Sequence, residues 1–186
     1  MIHQRTRKIV ITGVLSAISI FLGVTRLGFI PWISGASLTI MQVPVIIGAV
    51  LEGPVVGLGI GFIFGVFSLI QAAVAPTGPT DVWFTNPLLS IMPRLFIGPV
   101  SWLIFRGLKR WKIPALIAAG IGGSLTNTAL VLGMIGLLGY VPWQAMLAII
   151  LANGLPEAAA SAILVVAVVS IWQQLDRGKK KAGANL

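Results

Sequence analysis

No cysteine occurs among the 186 residues, which excludes disulfides, thiol nucleophiles and thiolate metal sites. Histidine occurs once, as His3 in the N-terminal tail, so no imidazole stands ready inside the chain for acid–base chemistry or metal binding. The four acidic residues, Glu52, Asp81, Glu157 and Asp176, are spread too widely for a carboxylate dyad or a metal cage. Charge of either sign is scarce: 9% of residues, against about 25% in ordinary soluble domains. So few charges cannot cover the surface of a soluble protein of this length. Apolar residues take their place, at 57% of the chain, with mean hydropathy +1.01. The chain is therefore expected to be an integral membrane protein. It forms one hydrophobic unit over residues 1–186, with no room for a second, soluble domain. Net charge +9 would suggest nucleic acid as a partner for a soluble chain. Here the cations sit at the ends of apolar runs, where membrane topology accounts for them and no nucleic acid is implied.

Apolar runs fall at about 9–25, 40–51, 55–75, 87–106, 113–139 and 143–172. A membrane-crossing helix needs about 20 apolar residues. The second run is short, contains Pro44 and ends at Glu52-Gly53-Pro54, so a short, tilted or partly re-entrant helix all fit it. The first run has a basic preface like a signal peptide. It is longer than a usual signal core and no convincing small-x-small cleavage site follows, so it is expected to be retained.

Eleven of the thirteen cations form three clusters: Arg5, Arg7 and Lys8; Arg106, Lys109, Arg110 and Lys112; Arg177 and Lys179 to Lys181. All three lie on one side of a membrane only if four spans separate the first two clusters and two separate the last two. Six spans satisfy that condition, and the positive-inside rule makes the shared side the cytoplasm. An all-α bundle of six transmembrane helices follows, with both termini cytoplasmic and short tails at about 1–8 and 173–186. The outer loops are then 26–39, 76–86 and 139–142, rich in Gly, Pro and aromatics. Trp32, Trp83, Tyr140 and Trp143 suit an outer interfacial belt, and Trp102, Trp111 and Trp172 an inner one.

Arg94 breaks the pattern. It lies within Leu88-Leu89-Ser90-Ile91-Met92-Pro93-Arg94-Leu95-Phe96-Ile97-Gly98, an otherwise lipid-compatible stretch. A guanidinium at membrane depth costs about 3 kcal/mol on insertion scales, so it normally faces a cavity or a partner. Span four runs inward, which puts Arg94 in its outer half beside a helix-loosening proline, Pro93. Span five carries Thr126 and Asn127 near its middle. Span six carries Asn153 and Glu157, which share a helix face at i, i+4. Gln71 lies near the outer end of span three and Asn86 at the outer start of span four. The structural alternative is that asparagines bridge helices, worth about 0.6 kcal/mol each, while Arg94 and Glu157 neutralise one another. The functional reading is a concave site with a few convergent polar groups beneath aromatic loops. No nucleophile–base pair or metal set accompanies them, so binding suits the cluster better than catalysis, and no cofactor is implied.

Small residues form two stripes. Gly57, Gly61 and Gly65 recur every four residues in span three, and Gly13 and Ala17 do so in span one. Such stripes let helices approach closely in lipid. Internal packing is the expectation for span three, whereas the span-one pair could face another protein.

Thr6-Arg7-Lys8 leading into Gly13-Val14-Leu15-Ser16-Ala17, the block Leu38-Thr39-Ile40-Met41-Gln42-Val43-Pro44 through Glu52-Gly53-Pro54, the Gly57–Gly65 stripe and Asn86-Pro87 through Gly98 together resemble a known family. The chain resembles, over nearly its whole length, the substrate-binding membrane subunit (S component) of energy-coupling factor (ECF) transporters, which import vitamins in bacteria and archaea. Relatives often carry His where this chain has Gln42, and Ala where it has Gly13. The resemblance implies six helices in the cytoplasmic membrane and a vitamin pocket in the outer half, near Arg94, Asn127, Asn153 and Trp32. It implies a transmembrane coupling subunit docking on Gly13 and Ala17, plus two cytoplasmic ATPases. This chain has no phosphate-cradling Gly-rich loop ending in Lys-Ser or Lys-Thr, so ATP hydrolysis belongs to those partners and the chain is not itself an enzyme.

A forked cation suits a carboxylate or phosphate. Pantothenate fits best, as a small anion whose amide and hydroxyls need Asn-type partners. Riboflavin, a B6 vitamer, a thiamine precursor and cobalamin stay open at this point. Two other classes compete: a self-sufficient proton-coupled carrier using Glu157, against which no inverted repeat of broken helices is visible, and a small membrane enzyme, for which catalytic residues are lacking.

Overall fold

The computed structural model describes residues 2–31, 37–76, 78 and 80–183. Among the described residues, six helical segments stand where six apolar runs were expected. They are α1 (Ile2–Val24), α2 (Val43–Glu52), α3 (Pro54–Val74), a broken fourth made of α4 (Pro87–Ser90) and α5 (Met92–Gly107), α6 (Lys112–Leu137), and a sixth made of α7 (Trp143–Ile149), a π-turn at Ile150–Gly154 and α8 (Leu155–Gly183). Five of the six are long and apolar enough to cross a membrane. The chain is thus an all-α, multi-pass membrane protein. Helix continues outward through much of the stretches expected as tails, since α1 begins at Ile2 and α8 runs to Gly183. One antiparallel strand pair, β1 (Phe29–Pro31) and β2 (Ser37–Thr39), lies between α1 and α2, with Phe29 opposite Thr39.

The glycine stripe of α3 packs internally, as expected. A Cβ on Gly57 would lie 2.9 Å from the Gly98 Cα, one on Gly61 would collide with the Arg94 carbonyl, and one on Gly65 would lie 2.8 Å from the Ile91 Cα. Rising residue numbers on α3 thus meet falling numbers on the fourth segment, so the two run antiparallel at backbone contact. Close approach maximises dispersion contact, which drives helix association where lipid removes the hydrophobic term. Gly120 against Ala162 and Gly154 against Thr128 bring α6 and the sixth segment together in the same antiparallel way.

These contacts gather the basic clusters at one end of the bundle. Arg7 of α1 forms an ion pair with Glu52 at 2.8 Å. Glu52 closes α2, and Gly53 (φ 99°) turns the chain directly into α3, a left-handed conformation that only glycine adopts without strain. The α5–α6 connection lies at this end too, because α5 is antiparallel to α3. Lys112 and Leu116 share a small cleft there with Ser170, Gln173 and Gln174 of α8.

α2 decides the shape of the other end. Its 10 residues cover about 15 Å at roughly 1.5 Å per residue, half of a bilayer core of about 30 Å. It is buried from Val43 to Val50 and forms the centre of the main apolar core with Ile60, Phe64, Ile97, Leu116 and Val165. Above it the second crossing is completed by the strand pair rather than by helix. A bundle of long helices around one half-length helix leaves a vacancy over the short one.

Candidate ligand-binding site

That vacancy is a cavity of about 800 Å³, within the usual range of about 300–1,000 Å³ for small-molecule sites. Its floor is Met41, just ahead of α2, and its walls come from α3, the fourth segment, α6, the π-turn and the connecting loops. Apolar side chains dominate: Phe29, Phe64, Val131, Leu132, Ile135 and Ile149. Polar residues join them, and the charged ones at the lining are Arg26, Arg94 and Asp81.

Arg94 owes its position to its neighbour. Pro93 has no N–H, so it cannot make the helical bond to the Leu89 carbonyl four residues back. The helix breaks at Ile91, between α4 and α5. The freed carbonyl is taken by the Arg94 side chain, whose Nη1 donates to the Leu89 oxygen at 2.6 Å. The guanidinium is held between two rings, 5.5 Å from the Phe64 centroid and 5.0 Å from that of Phe84. A cation over aromatic faces gains about 0.5–2 kcal/mol. Phe84 is itself fixed by the Ser90 hydroxyl, which donates to the Phe84 carbonyl and ties the 3₁₀ turn Asp81–Thr85 onto α4.

Arg94 is only 6% exposed, yet no carboxylate pairs with it among the described residues. Its Nε has no hydrogen-bond partner. The anticipated neutralisation by Glu157 does not occur. Glu157 Oε1 accepts from the Thr39 backbone N–H at 2.7 Å, and Oε2 lies 3.5 Å from the Thr128 hydroxyl. Arg94 therefore presents a buried positive charge to the cavity with no carboxylate paired to it among the described residues. That arrangement is costly in a low-dielectric site unless an anion completes it.

The other expected site residues divide. Asn153 and Gln71 line the cavity with Arg94; Gln71 also donates to the Gly23 carbonyl at 3.4 Å, tying α3 to the end of α1. Asn127, Glu157 and Asn86 are not among the lining residues. Asn127 is buried in α6, with its Oδ1 lacking a hydrogen-bond partner. Asn86 caps α4, its side chain accepting from the Leu88 N–H at 3.0 Å. Removing such a cap costs about 1 kcal/mol, so Asn86→Ala is expected to lower the melting temperature of the purified protein. An unchanged melting temperature would show that the cap contributes nothing. Trp32 lies outside the described residues.

Asn153 lies within the π-turn Ile150–Gly154, just ahead of Pro156, which offers no N–H to the Ala152 carbonyl. Asn153 lines the cavity, while Glu157, four residues on, reaches the Thr39 backbone.

Sequence reasoning missed Phe64, Ser68, Thr39, Phe84 and Arg26 as lining residues. Phe64, Ser68 and Gln71 stand at i, i+4 and i+7, so the face carrying Gln71 could have exposed the first two. Thr39 and Phe84 carry no such signal, because loops have no period. Trp83, expected in an interfacial belt, lines the cavity and stacks on Tyr140, with parallel rings 5.2 Å apart.

A family model described as "ECF transporter, substrate-specific component" matches residues 7–169. Among curated relatives, the pantothenate transporter PanT of Leuconostoc mesenteroides subsp. mesenteroides is 32% identical over 126 residues, covering 66% of this chain and 62% of that protein. The pantothenic acid transporter PanT of Lactococcus lactis subsp. cremoris is 28% identical over 150 residues, covering 70% of this chain and 75% of that protein. The first of these matches thus spans a little under two thirds of the relative's length.

Proposed function

The chain belongs to the substrate-specific components of ECF transporters, and we propose that it captures pantothenate, or a similar small anion, in the cavity beside Arg94. The observation that carries this reading is the buried guanidinium without a carboxylate partner, facing an apolar cavity of about 800 Å³. Pantothenate matches the groups at this lining. Its carboxylate meets the Arg94 fork, its amide and hydroxyls suit Asn153 and Gln71, and its dimethyl group suits Phe64, Leu132 and Ile135. The names of the two relatives point to the same compound.

Calorimetric titration of the purified chain tests the assignment. Pantothenate is expected to bind, and panthenol, with an alcohol in place of the carboxylate, at least about tenfold more weakly, on the scale of one charge-assisted hydrogen bond. Equal affinity for the two would remove the anion from the argument; no heat with pantothenate would remove the vitamin.

The self-sufficient carrier reading needs Glu157 as a proton site within the pathway. Glu157 is not among the cavity-lining residues, and its carboxylate accepts from the Thr39 backbone N–H, which favours the subunit reading. In that reading the basic end of the bundle faces the cytoplasm of a bacterium or archaeon. A transmembrane coupling subunit and two cytoplasmic ATPases complete the machine and supply the energy.

Gly13 and Ala17 are the docking candidates. Both are exposed on α1, and no described residue lies within 4 Å of a Cβ built on Gly13, so the described residues leave this stripe open. Ala17→Leu is expected to leave pantothenate affinity unchanged while blocking co-purification with the coupling subunit, because a bulky side chain holds the backbones apart. Normal assembly of that variant would dismiss the stripe as the docking surface.

A further inference from the structure

Glu157 is not among the cavity-lining residues, and no cation pairs with it among the described residues. Among the described residues the one ion pair is Arg7–Glu52, at the opposite end of the bundle. A carboxylate 8% exposed and without a counter-ion is expensive to keep in a membrane protein. Its two contacts show what it does. Oε1 accepts from a backbone group, the Thr39 N–H, at 2.7 Å, and the Thr128 hydroxyl lies near Oε2.

The Thr39 N–H is a particular kind of donor. In the strand pair, Phe29 faces Thr39, but the Phe29 N–H goes to the Arg26 carbonyl and the next ladder bond runs from Ile40 N–H to the Gly28 carbonyl. The Thr39 N–H therefore points away from β1, on the free edge of a two-stranded pair. An unpaired edge donor away from water needs a partner. Glu157 supplies a charge-assisted one, and so fixes β2 against α8; the Thr128 hydroxyl, 3.5 Å from Oε2, lies nearer the Ser124 carbonyl of its own helix, at 3.2 Å. Thr39, Phe29 and Met41, all cavity lining, lie on or beside this strand pair.

We infer that Glu157 is a positioning residue: its carboxylate pins the free edge of β2 and thereby sets the cavity wall formed by Phe29, Thr39 and Met41 before ligand arrives. It touches the wall's backbone rather than the ligand. A wall fixed in advance spares the ordering cost of binding. The effect on pantothenate affinity rests on the function proposed above; the effect on the strand does not.

The test has a ligand-free arm and a ligand arm. In the first, backbone hydrogen exchange is measured over Leu38–Met41 of the full chain. Glu157→Ala is expected to speed exchange there by about tenfold or more, the scale of one lost charged hydrogen bond, while Glu157→Gln, which keeps a carbonyl acceptor, restores most of the protection. Unchanged exchange in Glu157→Ala overturns the inference, whether or not pantothenate binds. In the second arm, calorimetry with pantothenate compares Glu157→Ala, Thr39→Pro and the double variant. Proline removes the Thr39 N–H at an edge position where no ladder bond is lost, and Thr39→Ala, which keeps the N–H, controls for the side chain. Each single variant is expected to weaken binding by about tenfold, and the double variant no further, since both break one bond. Multiplying effects, or an unaltered affinity in Glu157→Ala with faster exchange, would overturn the positioning role. Should Glu157→Ala not fold, Glu157→Gln and Thr39→Pro carry the same comparison. If the native protein shows no pantothenate binding, the function fails and the exchange arm alone decides the role of Glu157.

Discussion

Arg94→Ala is expected to weaken pantothenate binding by at least about tenfold, the scale of one lost charge-assisted contact. Removing the side chain also abandons the Leu89 carbonyl, which Arg94 serves at 2.6 Å. A buried acceptor left alone costs about 1–3 kcal/mol, so the melting temperature should fall as well. Arg94→Lys separates the two roles. An ammonium restores the charge but lacks the flat fork that can hold a carboxylate and a carbonyl together. Affinity intermediate between native and alanine is therefore expected by calorimetry, with only partial recovery of stability. A folded alanine variant with native affinity would reduce Arg94 to a repair of the Pro93 break.

Gly61→Ala should be among the most damaging single-methyl changes in the chain. Its Cβ would be driven into the carbonyl of Arg94. The obstacle is backbone, not a flexible side-chain end, so the helices must separate. Overpacking of this kind costs about 1–3 kcal/mol. Because the displaced backbone is that of Arg94, stability and pantothenate affinity should fall together. Gly13→Ala is the matched control. It meets nothing within 4 Å, and alanine in a helix is worth roughly 0.5–1 kcal/mol over glycine, so unfolding in detergent should show a neutral or slightly stabilised variant. Equal behaviour of the two variants would contradict the close α3–α5 crossing.

Much of the architecture is legible in the sequence, for reasons that particular residues make plain. Apolar runs mark spans because a bilayer offers no water to a polar backbone group. The cationic clusters around Arg7, Lys109 and Lys179 confine the spans between them to even numbers. Gly57, Gly61 and Gly65 announced a close crossing, since a small residue every four positions makes one smooth helix face. Arg94 declared itself by cost alone.

The polar constellation was less legible. Asn153 and Glu157 stand at i, i+4, yet Asn153 lines the cavity and Glu157 reaches the Thr39 backbone, a partner from a distant segment that no spacing shows. Asn86, expected near the site, accepts from the Leu88 N–H as the cap of α4. Thr39 and Phe84 enter the cavity from segments without a period, placed by the Glu157 and Ser90 contacts.

By itself the sequence determined a six-segment membrane bundle, a shared basic end, a packed α3 stripe and one cation at unaccountable depth. These follow from local composition, because the energy of a span or a charge in lipid depends mainly on the residue and its depth. Only the tertiary structure decided that Arg94 stands without Glu157, that Glu157 holds a strand edge, and that a half-length α2 opens the space between. Those outcomes depend on which groups from distant segments arrive within hydrogen-bond distance, about 3 Å, and no local pattern in the sequence records that.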